Sequence, residues 1–290
     1  MRIGIGLPAA IPGIAGPEIG TWAELAEHHG FASAGVIDRL VYDNLDPLVA
    51  LAAAAARTER IELLTTVLNV PWRRNAVVLA KQLASLDRLA CGRLTAGLGL
   101  GGWPDDHEAA GPSTMPMGAL MDDMVVTMRR VWAGELATSN ATIPALPAGR
   151  PRVLFGGFAA AAFQRAARFG DGWVAPSFGL GALTDGIAAV RAAWRDEGRT
   201  GTPRVVVERY VCLGPDADDI ADHYLEHYYG QAYLAAVRAD TPTTAAELSR
   251  EIDRLAATGC DDVVLLPCST DLTQVARVAD AVESTRSVLA

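Results

Sequence analysis

The chain has 290 residues and contains one lysine, Lys81, against 24 arginines. Lys81 falls in a helical segment, which disfavours a Schiff-base aldolase chemistry. The arginine bias and the alanine-rich helices fit GC-rich coding, as in an actinobacterium. Cysteine is scarce and scattered: Cys91, Cys212, Cys260 and Cys268 form no C-x-x-C pair. They read as reduced thiols of a cytoplasmic protein, not as a disulfide framework or a metal site. No apolar run approaches the roughly 18–20 residues of a membrane span. The opening MRIGIGLPAA lacks a basic stretch followed by a long apolar one, so it reads as a first strand and not as a secretory signal. The net charge of −9 and a pI near 5.1 argue against a nucleic-acid partner. No Ser-His-Asp or Cys-His arrangement is discernible, and no carboxylate cluster suggests a metal. His28-His29 end a helix on the face opposite the one where ligands are expected. His223 and His227 sit four apart, but HYLEH is not the H-E-x-x-H of a zinc helix.

What is present is a large core, with 50% hydrophobic and 20% charged residues, as a globular chain requires. Arg60 to Gly102 shows its organisation best. Ile61–Leu68 is apolar and β-branched, as a strand buried on both faces should be. It carries Thr65 and Thr66 and runs into Asn69 and Pro71. From Arg74 to Cys91 the period is helical, with Val77, Val78, Lys81, Leu83, Leu86 and Leu89 spaced to keep an apolar face inward. Gly92 stops that helix. Leu94–Leu100 is a second buried strand, ending in Gly99, Leu100, Gly101 and Gly102.

The alternation repeats. Expected strands are Arg2–Leu7, Ser33–Ile37, Ile61–Leu68, Leu94–Leu100, Arg152–Gly156, Gly172–Ala175, Arg204–Leu213 and Asp262–Pro267. Each precedes a segment of helical composition. Asp46-Pro47 is an N-cap before a proline at the first helical position, and Thr244 to Glu247 is a capping box. Gly30, Gly92, Gly170, Gly198 and Gly259 stand where helices should end. Eight such units in one domain spanning residues 1–290 indicate an α/β fold, a (β/α)8 TIM barrel. A doubly wound sheet would place a G-x-G-x-x-G turn after its first strand, and neither IGIGLPAAIPG nor GLGLGG has that spacing. Thr138–Arg150 forms a Pro-rich connector. Asp216–Asp240, with Tyr224, Tyr228, Tyr229 and Tyr233, is an insertion between strand seven and its helix.

In such barrels chemistry sits at the C-terminal strand ends. There the sequence places Asp38-Arg39, then Thr65, Thr66 and Asn69, then Gly99 to Asp105 with His107 beyond. Gly156, Gly157 and Phe158 follow strand five, Ser177 and Phe178 strand six, and Cys268, Ser269 and Thr270 strand eight. GGFAAAAF is the best anion site, since free N–H groups at a helix start face a phosphate without needing a lysine. A tight turn of small residues is the competing reading. The glycines after strand four allow a flat ring against backbone, or they serve close packing. Asp38-Arg39 is an ion pair, a ligand-binding pair or a rim salt bridge. Of Glu208-Arg209, alternation sends one toward the barrel and the other toward the helices. A barrel-facing Glu208 would handle protons with a raised pKa, and a buried ion pair is the alternative.

These residues resemble the bacterial luciferase-like oxidoreductases, barrels that use FMN or the deazaflavin coenzyme F420. The resemblance rests on GFASAGVIDRL, on the segment from Asp46 to Gly102, on RPRVLFGGFAAAAFQRAARFGDGW, and on TPTTAAELSREIDRLAATGCDDVVLLP. It implies a cofactor ring at the barrel mouth against Thr65-Thr66-Val67, where many members carry a non-proline cis peptide. It implies further that Gly99, Gly101 and Gly102 approach the cofactor and that its phosphate rests on Gly156, Gly157 and Phe158. Three positions depart from the family pattern. Arg39 stands where many F420-using relatives have histidine. Gly102 stands where the sugar-phosphate dehydrogenase branch has glutamate, so sugar-phosphate oxidation is not expected. Met117-Gly118 stands where relatives often carry an arginine-glycine pair. The expectation is an FMN- or F420-dependent oxidoreductase or monooxygenase, with Asp38, Arg39 and Glu208 serving catalysis on a small organic substrate by hydride transfer or oxygen insertion. Tyr224 and its neighbours would form a mobile lid, and the enzyme would be a homodimer. A non-catalytic partner subunit and a phosphate-binding aldolase or isomerase barrel are the alternatives.

Overall fold

The computed structural model describes residues 1–146, 149–177 and 179–288. Eight strands pair in chain order and close on themselves: β1 Arg2–Gly6, β2 Ser33–Val36, β3 Glu62–Asn69, β4 Leu94–Gly99, β5 Arg152–Gly156, β6 Gly172–Ala175, β7 Arg204–Val211 and β8 Asp262–Pro267. Every ladder is parallel, so the expected (β/α)8 barrel is the fold. Around it run α1 Gly16–His28, α2 Pro47–Ala55, α3 Ala76–Leu89, α4 Pro104–Ala109, α5 Met117–Trp132, α6 Ala160–Phe169, α7 Leu180–Asp196, α8 Ala217–Tyr229, α9 Gln231–Arg238, α10 Ala245–Thr258 and α11 Thr273–Val288. α8 and α9 are the insertion expected after strand seven. No described helix is long and apolar enough to cross a membrane.

Local chemistry accounts for the helix ends. The Asp46 carboxylate accepts from the N–H groups of Leu48 (2.9 Å) and Val49, with Pro47 supplying a pre-set φ behind it. Thr244 and Glu247 cap α10 reciprocally. Two details depart from expectation. On α3 the buried face is Leu79, Ala80, Leu83 and Leu86, while Val78, Lys81 and Leu89 point to solvent. Gly170 is not left-handed (φ −107°); it is small because a Cβ there would meet Phe155 Cδ2 at 2.8 Å.

The core has two layers. Residues such as Trp22, Leu51, Leu79 and Phe155 pack between strands and helices. Leu64, Leu154, Val174, Val206 and Val264 belong to a second cluster, filling the barrel itself. At the N-terminal end of the barrel Arg204 donates to Glu62 (2.6 Å) and Asp262 (2.8 Å), and Arg2 pairs with both acids. Burial raises the Glu62 carboxyl, but Arg204, Thr95 and Arg2 together hold it below its ordinary range. That network closes one end of the barrel; the opposite end stays open.

Candidate active site

Strand β3 sets the shape of the open end. It pairs with β4 in register through Thr65↔Ala96 and resumes at Leu68↔Leu98, so one extra residue on β3 bulges out. The Thr66–Val67 peptide in this bulge is cis, within the segment singled out in the sequence. Thr65 donates to the Gly97 carbonyl (2.7 Å) and is fully buried. Val67 reaches over its neighbours: a Cβ at Gly99 would stand 2.3 Å from Val67 Cγ2, and one at Gly156 2.7 Å from Val67 Cγ1. The glycines of β4 and β5 are therefore the space that Val67 occupies.

Asp38 and Arg39 do not pair with each other. Asp38 accepts from the Asn69 N–H (2.8 Å) and pairs with Arg73 (3.2 Å). Burial pushes its carboxyl up to about 6, against the pull of Arg73 and the Asn69 N–H. Arg39 donates to Asp106 (2.7 Å), a carboxylate with no exposure, which also accepts from the N–H groups of Leu40 and Val41. The Arg39 guanidinium lies 4.1 Å from the Trp103 ring centre, a cation–π contact. His107 secures the same wall. Trp72 donates to its Nδ1 (3.3 Å), so Nε2 carries the proton and donates to the Gly101 carbonyl (3.2 Å).

On β7 the alternation separates Glu208 from Arg209 as expected. Arg209 is wholly buried outward and donates to Glu251 of α10 (2.7 Å). Glu208 turns inward, and its Oε1 is buried with no hydrogen-bond partner. Burial pushes this carboxyl up to about 8, only partly opposed by the Thr66 hydroxyl and the Arg209 charge. Above it lies a continuous aromatic belt. Trp103 meets Tyr228 and Tyr229 edge-on or tilted, and the Tyr210 and Tyr229 hydroxyls are 3.0 Å apart. Tyr224 and Tyr228 are buried, while Tyr233 is 53% exposed. The insertion is thus packed onto the barrel, and Tyr42 ties it to β2 through the His227 Nδ1 (2.7 Å).

These groups enclose a cavity of about 460 Å3 at the C-terminal strand ends, within the range of small-molecule sites. Of the residues singled out in the sequence, Asp38, Thr66, Val67, Gly99, Gly101, Gly102, Gly156, Gly157, Phe158 and Glu208 line it. Thr65 and Arg39 do not; Thr65 lies beneath and Arg39 behind Trp103. Phe178 lies outside the described residues. Among the lining residues that escaped the sequence reading are Met121, Tyr210 and Arg165; Arg165, from α6, pairs with Asp122 (2.5 Å). Its guanidinium fills space that a Cβ at Gly118 would enter at 2.6 Å, so Gly118 makes room for it; the departure from the arginine-glycine pair lies at Met117 alone. Helix α6 has no side-chain N-cap, leaving its first N–H groups unclaimed by side chains next to Gly157 and Arg165. Among the described residues no cluster of His, Cys, Asp and Glu could hold a metal.

The chain is thus a closed (β/α)8 barrel with an aromatic and glycine-walled cavity at its C-terminal strand ends. The luciferase-like monooxygenase family model matches residues 1–285, and the chain belongs to that family. An F420-dependent glucose-6-phosphate dehydrogenase of Nocardia farcinica is 27% identical over 261 residues, covering 80% of this chain and 75% of the relative. Among solved structures, monooxygenase RslO1 from Streptomyces bottropensis superposes with a TM-score of 0.80 at 24% identity, covering both chains completely. The oxygenating constituent of 3,6-diketocamphane monooxygenase from Pseudomonas putida, solved with FMN, superposes at 0.72 with 18% identity, over 98% of this chain and 96% of that one.

Proposed function

We propose that this chain, acting as one barrel over residues 1–290, is an oxidoreductase that uses F420 or FMN on a small organic substrate. The observation that carries the reading is the composition of the cavity wall. It combines a place for an anion with a place for a flat ring. Arg165 and the uncapped start of α6, beside Gly156 and Gly157, suit a phosphate through a cation and oriented N–H groups. Val67, set between Gly99 and Gly156, gives an apolar surface next to backbone that carries no Cβ, which suits a planar ring. When bound, the cofactor would supply redox chemistry that no side chain of this wall can perform.

The chain's own residues do the rest. Asp38, through Asn69 and Arg73, fixes the turn that follows β3. Arg39 acts at one remove, holding Trp103 and the start of α4. The aromatic belt excludes water from the cavity, and Glu208 holds a proton at its mouth-facing carboxyl. A homodimer is part of this reading, supported by the exposed Val49, Val78 and Leu89 on the adjacent helices α2 and α3; light scattering at twice the chain mass checks it. Lys81 is exposed on α3 and is not among the residues lining the cavity, which removes support from the aldolase alternative. Titration of the purified protein with FMN and with F420, each oxidised and reduced, tests the proposal. Binding of one of them is expected; binding of neither overturns it.

A further inference from the structure

The cavity wall is unequal in charge, and the inequality bears on the substrate. Among the lining residues Arg165 is the one cation, and it belongs to the α6 turn with Asp122 as its partner. The cation nearest the aromatic belt, Arg39, is committed to Asp106 and stacked on Trp103. Arg73 is committed to Asp38 and Asp46. What remains along the belt is Trp103, Tyr210, Tyr228, Tyr229 and Glu208. An anionic substrate would find no counter-charge there and would face two carboxyl groups.

Among the described residues of this part, Glu208 alone has a buried oxygen left without a hydrogen-bond partner. From the packed elements it faces the Thr66 hydroxyl of β3, the Tyr210 side chain of its own strand, and Tyr228 and Tyr229 of α8. Asp38 lines the same cavity, and Arg209 next to it points away toward Glu251. Among the described residues no cation is directed at the carboxyl within the cavity, and tyrosines at neutral pH add no charge. A carboxylic acid kept neutral in an apolar site can donate a proton.

We infer that Glu208 is the proton donor for reduction of an uncharged, ring-bearing conjugated carbonyl compound seated against the aromatic belt. The inference rests on the proposed function, which supplies the reductant: by class, a reduced flavin or deazaflavin that gives a hydride. The β-carbon of the substrate gains that hydride, and the C=C electron pair moves toward the carbonyl oxygen. The Glu208 O–H bond breaks and an O–H bond forms on that oxygen. The product is the enol of the saturated ketone, and the Glu208 carboxylate regains its proton from solvent. The substrate is reduced by two electrons and the cofactor oxidised by two.

The test uses two probes of one skeleton, neutral benzylideneacetone and anionic cinnamate. Calorimetry on the wild-type protein at pH 7 should show benzylideneacetone binding at least about tenfold more tightly. Equal or tighter binding of cinnamate overturns the inference. With a bound, reduced cofactor, benzylideneacetone reduction should fall as pH rises through about 8. Glu208→Gln should slow it about a hundredfold or more, the upper range for loss of an acid catalyst, and remove that pH limb. A variant that keeps both the rate and the limb overturns the inference. Stability gives a readout free of cofactor. The native carboxyl keeps a proton that the unfolded chain releases above pH 4.5, so the wild type loses stability as pH rises toward 8. Glu208→Gln should lack that loss; parallel stability profiles for the two proteins overturn the inference. Failure of the cofactor reading is separately visible, as absence of FMN and F420 binding in the titration above.

Discussion

Asp38 and Arg39 are adjacent in the chain yet serve partners far from it and from each other. Arg39 holds a carboxylate 67 positions away, at the buried Asp106, and Asp38 holds the backbone of Asn69 and the side chain of Arg73. The sequence offered an ion pair between the two as one reading because adjacency was the only geometry it displayed. Asp106 itself gave no signal, being one of several acids in WPDDHE. The consequence is testable. In Arg39→Ala the Asp106 carboxylate would keep two backbone N–H groups but lose its buried cation, and removal of one partner from a buried pair costs about 3–5 kcal/mol. Urea unfolding should show a loss of that size, together with weaker cofactor binding as Trp103 loses its support. An unchanged midpoint would contradict the role assigned to Arg39. Glu208 was more legible, since two charges inside an apolar strand must point to opposite faces.

At the level of elements, strand and helix order follows from apolar periodicity and from caps that act within a few residues. β5, β6 and β8 have the expected ends, because Gly, Pro or charged residues bound them. β7 stops two residues short of expectation, where apolar Cys212 and Leu213 continue past the last ladder pair, and β3 runs one residue further, to Asn69, which still pairs with Gly99. The insertion was visible only as a long region after β7. Its division into α8 and α9 comes at Gly230, whose φ of 74° suits a residue without a side chain. Three of its four tyrosines meet one another or Tyr210, so the expected lid is packed against the barrel through aromatic contacts. The outward Arg209 makes β7 and α10 a unit through Glu251, which is 4% exposed and also receives Arg254. Glu251→Ala should therefore cost about 3–5 kcal/mol by stranding a buried guanidinium. Calorimetric melting checks it, and a loss under about 1 kcal/mol, typical of surface pairs, would contradict it.

For the whole molecule, the barrel was legible because eight apolar strands must be covered by eight helical segments. The closure of the sheet brings strand ends that are up to 170 residues apart, Asp38 and Glu208, to one cavity. Sequence order then predicted which residues gather at the mouth, while side-chain direction decided which of them reach it. Thr65 and Arg39 fail that second condition, and Arg165 satisfies it from a helix that looked like covering structure. The central claim is that a cofactor occupies the cavity between Val67 and the α6 turn. Paired titrations of the wild type and Gly156→Ala with FMN and F420 test it most directly. A Cβ at position 156 would stand 2.7 Å from Val67 Cγ1, and valine is too stiff to yield freely. The account predicts that the wild type binds one of the two cofactors. The variant, folded by the same melting criterion, should bind it at least about tenfold more weakly, roughly 1.4 kcal/mol. Equal affinity in the two proteins, or no binding to the wild type, would contradict it.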